Sequence, residues 1–184
     1  MNMHHIIITG ASRGIGHATA LLYASMGWNI SICSRHCDYQ MTQTQDAITA
    51  AGGQYFSFCG DMGNAADAEE FLTKAVQTFG TPEILVNNAG ISHIGLLQDM
   101  TPMQWDDIIR TNLSSVFYTS RVIIPYFLQE STAGSSTFPL SGAVSAHPRK
   151  SHILQQRAGS TPSPRHWQRS WHQAAFRLMP LPAA

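Results

Sequence analysis

The chain has 184 residues and a mass of 20.2 kDa, room for one domain with a core of its own and hardly for two. Hydrophobic residues make up 43% and charged residues only 12%, while eleven Lys and Arg balance eleven Asp and Glu, totals that suit neither a polyanion binder nor an acidic solvating chain. The balance hides a split, because every acidic residue precedes position 131 and six of the eleven basic residues follow Glu130.

His5–Thr9 is apolar and β-branched and reads as a first strand. Glycines follow, and then Ile15, Ala18, Leu21, Leu22 and Ser25 recur at helical spacing until Gly27 stops the pattern. Residues 28–33 predict a second strand, 40–51 a second helix ending at Gly52-Gly53, and 54–58 a third strand. Ala65–Phe79 predicts an amphipathic helix closed by Gly80, and residues 83–86 a fourth strand. Thr101-Pro102 opens a further helix as N-cap and first-turn proline, continuing from Asn112 to Gln129. Strands alternating with helices predict an α/β fold, a Rossmann-like, doubly wound parallel sheet, truncated after about the fourth strand and its following helix. Residues 1–130 are expected to form that incomplete domain. Residues 131–184 hold six of the nine prolines, nine serines and no acid, and are expected to be an irregular, disordered tail that leaves the fourth strand as a bare edge.

No apolar run reaches the ~20 residues that cross a bilayer. The start, Met1-Asn2-Met3-His4-His5, has neither the basic opening nor the long apolar stretch of a secretory signal. A cytoplasmic address without a membrane partner is the expectation. Cys33, Cys37 and Cys59 are odd in number and lack zinc-site spacing, so they read as reduced thiols with no metal.

The run Thr9-Gly10-Ala11-Ser12-Arg13-Gly14-Ile15-Gly16 sits between the first strand and the first helix. Missing Cβ atoms there permit a sharp turn and let a pyrophosphate reach backbone N–H groups at the positive end of a helix. At the end of a second strand a carboxylate would bond the ribose 2′-OH of NAD, whereas a cation accommodates a 2′-phosphate. Here Ser34-Arg35 stands in that place, and Arg35 with Arg13 points to NADP(H) rather than NAD(H). The competing reading makes Arg35 a solvated charge and gives the ribose to Asp38.

With Asp61-Met62 after the third strand, Asn87-Asn88-Ala89-Gly90 after the fourth and Thr111-Asn112-Leu113 beyond, the chain resembles the short-chain dehydrogenase/reductase family over about residues 4–130. Its 3-oxoacyl-(acyl-carrier-protein) reductase-like members look nearest. The resemblance implies that Gly10, Ser12, Arg13, Gly14, Ile15 and Gly16 hold the dinucleotide and that Asp61 and Met62 contact adenine. It also implies that Asn87, Asn88, Ala89 and Gly90 support the central sheet and line the nucleotide, and that Asn112 matches the catalytic asparagine of the proton relay. The implied reaction moves a hydride between NAD(P) and a small carbonyl or alcohol, in a homo-oligomer built partly on helix 113–129.

The family's Tyr-x3-Lys pair is missing. Tyr23, Tyr39, Tyr55, Tyr118 and Tyr126 are followed four residues later by Gly27, Gln43, Cys59, Val122 and Glu130, and only Lys74 and Lys150 exist. Codons read one step out of phase explain the loss. The genetic code then allows Arg-Ile-Ile-Asn-Ile-Ser-Ser across Ala133 to Leu140, Tyr-Ser-Ala-Ala-Lys across His152 to Arg157, and Ala-Leu-Ala-Lys-Glu-Leu-Ala across Arg165 to His172. The first two look like the family's serine strand and its Tyr-x3-Lys pair. A frameshift near Glu130 or Ser131 is therefore expected, leaving an inactive chain. Two alternatives stand beside it: a catalytically dead dinucleotide-binding remnant, and a nucleic-acid-binding protein using Arg149-Lys150, Trp167 and Trp171 of the basic tail. Trp105, Phe117, Tyr118, Tyr126 and Phe127 read as packing residues, and Asp106-Asp107 as solvated charges.

Overall fold

Five consecutive buried residues, His5–Thr9, form β1 and set the plane of the fold. Side chains of a strand alternate between faces, so a strand buried on both sides reads apolar without interruption. Ile6 and Ile8 pack on one side with Ala20, Ala24, Ile30, Ile32, Met41 and Ile48, whereas Ile7 packs on the other with Phe71, Leu72, Leu85, Ile123 and Phe127. Each fully buried side chain of this size contributes ~1.5–3 kcal/mol relative to exposure. The computed structural model describes residues 4–130 and, for their backbone, the strands at 143–146 and 151–155.

The remaining elements are α1 (Gly14–Ser25), β2 (Asn29–Ser34), α2 (Tyr39–Ala50), β3 (Gln54–Cys59), α3 (Ala65–Phe79), β4 (Ile84–Asn87), α4 (Pro102–Ile109), α5 (Ser115–Glu130), β5 (Ala143–Ala146) and β6 (Ser151–Gln155). Among the described residues the sheet order is β3-β2-β1-β4-β6-β5. β1 to β4 run parallel in the doubly wound arrangement, with α1 and α2 on one face and α3 and α5 on the other. The C-terminal ends of β1 and β4 thus meet where the strand order reverses, the place at which such sheets open a crevice.

Local chemistry fixes the helix boundaries. Asp38 caps α2 by accepting from the Met41 N–H at 3.1 Å, Asn64 caps α3 through the Ala66 N–H at 2.9 Å, and Thr101 with Gln104 forms a capping box at α4. Gly80, at φ +80°, ends α3. The continuous helix expected beyond Thr101 is interrupted, because Arg110–Ser114 widens into a π turn between α4 and α5. Such turns are found mostly as single insertions, often at functional positions.

β4 is not a bare edge. β6 pairs parallel to it from Ile84↔His152 to Asn87↔Gln155, and β5 pairs antiparallel to β6. The outward N–H and C=O groups of β4 need partners, and the short run Ser151–Gln155 supplies them. Of the segments read out of frame, the one across His152 to Arg157 overlaps β6 through Gln155; the rest of 131–184, including the other two segments and the proposed nucleic-acid arm, lies outside the described residues. Among the described residues no helix is long and apolar enough to cross a membrane.

Candidate functional site

Residues from four βα junctions converge on one cleft of about 470 Å³ at the C-terminal ends of the strands. Gly10, Ser12, Arg13 and Ile15 form its floor, Ser34, Arg35, His36 and Asp38 one wall, Gly60 to Gly63 a second, and Asn88, Ala89, Gly90 and Ile91 a third, with Thr111 at the rim. Of the residues singled out in the sequence, Gly14, Gly16, Asn87 and Asn112 do not line it. Gly16, Asn87 and Asn112 support its walls from behind.

Gly10 has φ +66°, and a Cβ there would stand 2.7 Å from the Ala89 Cα. A Cβ on Gly16 would stand 2.6 Å from the Asn88 Nδ2 and the Gly10 carbonyl. Only hydrogen fits either place, so the two loops pack backbone to backbone. Asn88 Nδ2 completes the seam by donating to the carbonyls of Thr9 at 3.0 Å and Gly10 at 2.8 Å, while the Thr9 hydroxyl accepts from the N–H groups of Asn88 and Ala89, both at 3.0 Å. Thr44 of α2 supports the same loop from outside, donating toward the carbonyls of Ala11 and Ser12. The roles of Thr9 and Thr44 have no signature in the sequence, since both are non-local contacts.

α1 differs from its neighbours at its start. Its N-cap, Arg13, makes no side-chain cap, and no acidic residue lies in its first turn. Its first N–H groups therefore face the cleft without a competing protein acceptor, which is what a pyrophosphate requires. The glycine cradle at Gly10 and Gly16 leaves the room, so the residues present fit a dinucleotide.

Ser34 is buried and donates to the His36 carbonyl at 2.5 Å, which folds the turn after β2. Arg35 is not a solvated charge. Its Nη2 donates to Asp61 Oδ1 at 3.2 Å and to the Thr111 hydroxyl at 2.8 Å, crossing the end of the cleft. Asp61 also accepts from the Gly63 N–H at 2.9 Å and pairs with Arg110 Nη1 at 3.0 Å. Arg110 in turn holds Asp107 at 2.5 Å, and this hydrogen bond keeps the Asp107 carboxyl below the usual carboxylate range. Asp107, expected toward solvent, therefore belongs to this arginine–carboxylate cluster. Asp38, the alternative ribose ligand, lines the cleft and caps α2 through one of its carboxylate oxygens. Met62 is buried in the core beside Phe71.

Asn112 lies in the π turn and grips Ile91 at both ends of its amide. Nδ2 donates to the Ile91 carbonyl and Oδ1 accepts the Ile91 N–H, each at 2.8 Å. It thereby fixes the loop that follows Asn88-Ala89-Gly90. Asn87 is buried under α5, where its Oδ1 accepts from the Thr119 hydroxyl at 2.7 Å, and its Nδ2 finds no partner among the described residues.

Two of the three cysteines, Cys37 and Cys59, stand together with their Cα atoms 5.7 Å apart, within disulfide reach, whereas Cys33 is buried apart from them. The juxtaposition escaped the sequence reading because 22 positions separate the two residues. Burial pushes the Cys33 thiol up to about 12. His5 is equally hidden, bonded to Ser31 Oγ and the Gly80 carbonyl, and burial lowers it to about 4. No group of three or more His, Cys, Asp or Glu among the described residues is arranged to hold a metal. Phe127 is core, whereas Trp105 and Phe117 are exposed.

Comparison with known proteins gives a consistent pattern. The family model for short chain dehydrogenase matches residues 4–141. The 3-oxoacyl-(acyl-carrier-protein) reductase FabG of Staphylococcus epidermidis is 32% identical over 154 residues, covering 83% of this chain and 63% of that protein. A metagenomic short-chain oxidoreductase solved in complex with NADP superposes with a TM-score of 0.65 at 30% identity, over 72% of this chain and 63% of its own. The NADH-dependent reductase A1-R′ complexed with NAD gives a TM-score of 0.65 at 26% identity, covering 72% of this chain and 55% of that one. The chain thus spans less than two thirds of the length of these relatives.

Proposed function

The chain belongs to the short chain dehydrogenase family, and from that premise we propose that it is the NADP(H)-holding part of an oxidoreductase that moves a hydride between NADP(H) and a ketone or alcohol such as a 3-oxoacyl thioester. One observation carries the reading: the uncapped start of α1, the Ser34-Arg35 turn and the Asn88-Ala89-Gly90 wall open into the same cleft. In this reading the N–H groups from Ser12 to Ile15 take the pyrophosphate, Arg13 and Arg35 take the 2′-phosphate, and Asp61 and Met62 border adenine. NADPH, when bound, supplies the hydride. Asn112 acts at one remove, by holding Ile91 against the cleft.

The proton-donating half is not encoded in the frame that is read. No tyrosine is followed four residues later by lysine, so the chain as written turns over at background, because loss of a general acid/base costs ~10²–10⁴ in rate. The segment after Glu130 is a shifted reading of that half. Exposed Phe117 and Leu128 on α5 suit a homo-oligomer joined there.

A fluorescence titration of the 184-residue chain with NADPH and NADH, followed by an NADPH oxidation assay with a small β-keto thioester, tests the reading. Saturable binding that favours NADPH, without turnover above the blank, is expected. Tighter NADH binding rejects the cofactor assignment, and measurable turnover rejects the inactivity. Coding DNA that reads through the codon for Glu130 with nothing family-like in the shifted frame rejects the frameshift.

A further inference from the structure

We propose that Cys37 and Cys59 are a reversible thiol–disulfide modification site whose closed form tethers the turn after β2 to the end of β3 and strengthens dinucleotide binding in the adjoining cleft. The inference rests on the reading of that cleft as a dinucleotide site.

The sheet itself brings the pair together. In the parallel ladder between β2 and β3, Cys59 stands opposite Ser34, and the next N–H, from Gly60, donates to the Ser34 carbonyl at 3.0 Å. The Ser34 hydroxyl folds the following turn onto the His36 carbonyl, and Asp38 is pinned as the cap of α2. Cys37 is held between those two fixed points, its Cα 5.7 Å from that of Cys59, within the usual span of ~5.5–6 Å for bridged cysteines. Both residues are exposed, so a small reagent reaches them. Cys33, the third cysteine, is fully buried and takes no part.

What the bond would control follows from its neighbours. The tethered turn carries Ser34, Arg35 and His36, and Cys59 immediately precedes Gly60 and Asp61, so both anchor points lie on walls of the cleft. Without the bond, the turn is tied across the cleft through Arg35, by its hydrogen bonds to Asp61 and Thr111. A nucleotide phosphate that recruits Arg35 breaks those ties across the cleft and leaves the turn held only by the Ser34 and Asp38 hydrogen bonds, a loosening with an entropic cost. With the bond, the turn stays in place when Arg35 swings to the ligand, and the cost is removed in advance.

The oxidant is a low-molecular-weight disulfide such as oxidised glutathione. The Cys37 thiolate attacks one of its sulfurs, forming a mixed disulfide and releasing one small thiolate. The Cys59 thiolate then attacks Cys37 Sγ, closing the protein disulfide and releasing the second. Two electrons pass from the cysteine pair to the small disulfide, and the two protons end on the released thiols. Coupling is reciprocal, so a dinucleotide that binds the closed form better must make it harder to reduce by the same factor.

The test equilibrates the 184-residue chain across a series of reduced-to-oxidised glutathione ratios, with and without NADPH, and follows thiols after denaturation and NADPH affinity by fluorescence. Three thiols falling to one, an oxidised form that binds NADPH about tenfold tighter, and an NADPH-induced shift of the glutathione midpoint by the same factor are expected. Cys37→Ser and Cys59→Ser should both bind as the reduced form does at every ratio. A thiol count that stays at three overturns the proposal, as does closure with equal or weaker NADPH affinity. A falling thiol count with no NADPH binding in either form retires the dinucleotide reading and this coupling together, a result distinguishable from the other two.

Discussion

Arg35 is where the cofactor assignment is most exposed to refutation. In the free chain its Nη2 serves Asp61 and Thr111 at the end of the cleft, and its side chain is about one third exposed. A guanidinium that takes a 2′-phosphate gains ~1.5–3 kcal/mol from charge-assisted hydrogen bonds. Releasing a partly exposed ion pair and its companion hydrogen bond costs ~1 kcal/mol of that. The net, ~0.5–2 kcal/mol, corresponds to ~2–30-fold in affinity. Arg35→Ala should therefore weaken NADPH by that factor in a fluorescence titration and leave NADH nearly unchanged. Thr111→Val, which keeps the volume but removes one competitor for the guanidinium, should strengthen NADPH by up to ~5-fold for the same reason. If Arg35→Ala weakens both cofactors equally, or neither, the arginine is structural and the phosphate is gripped elsewhere.

Three further outcomes follow from the geometry. Gly10→Ala forces a Cβ to 2.7 Å from the Ala89 backbone at a left-handed φ, so urea unfolding should show ~2–4 kcal/mol lost, with NADPH affinity falling alongside; a loss under ~1 kcal/mol would mean the two loops separate easily. His5 is lowered from 6.5 to about 4, so its neutral form belongs to the folded state and the unfolded chain takes up the extra proton as pH falls below 6.5. Stability should fall by ~2 kcal/mol between pH 7 and pH 5, stay flat above pH 7.5, and lose that slope in His5→Gln. Asn112→Ala removes both bonds to Ile91 and should cost ~1–2 kcal/mol together with faster hydrogen exchange at Ile91, whereas unchanged exchange there would deny Asn112 its positioning role.

The readable parts of this chain are those that depend on neighbours along it. β1 and α3 have the bounds that their β-branched run and their apolar period with a terminal glycine predict, and α1 stops at Ser25 as Gly27 requires. The glycine loop was legible because its chemistry is local, a strand end, a turn and a helix start within eight residues. The π turn was not, since one extra residue per turn leaves the apolar spacing of α4 and α5 almost unchanged. Its purpose is visible only when Ile91, 21 positions earlier, is placed beside Asn112.

The same distinction accounts for what the sequence leaves open about its polar residues. A sequence displays Arg35 as a cation and Cys37 and Cys59 as thiols, but what each touches depends on how β2 and β3 slide against one another. In parallel strands that register is set by the crossover helix rather than by a tight turn. Here α2 buries Met41, Thr44 and Ile48 against the sheet and delivers β3 so that Cys59 faces Ser34. Asp61 then falls within reach of Arg35, and Cys59 within reach of Cys37. One packing event therefore fixes both the charge that competes with a phosphate and the cysteine pair that can bridge the turn. A change at α2 that shifted the register by a single residue would undo both at once.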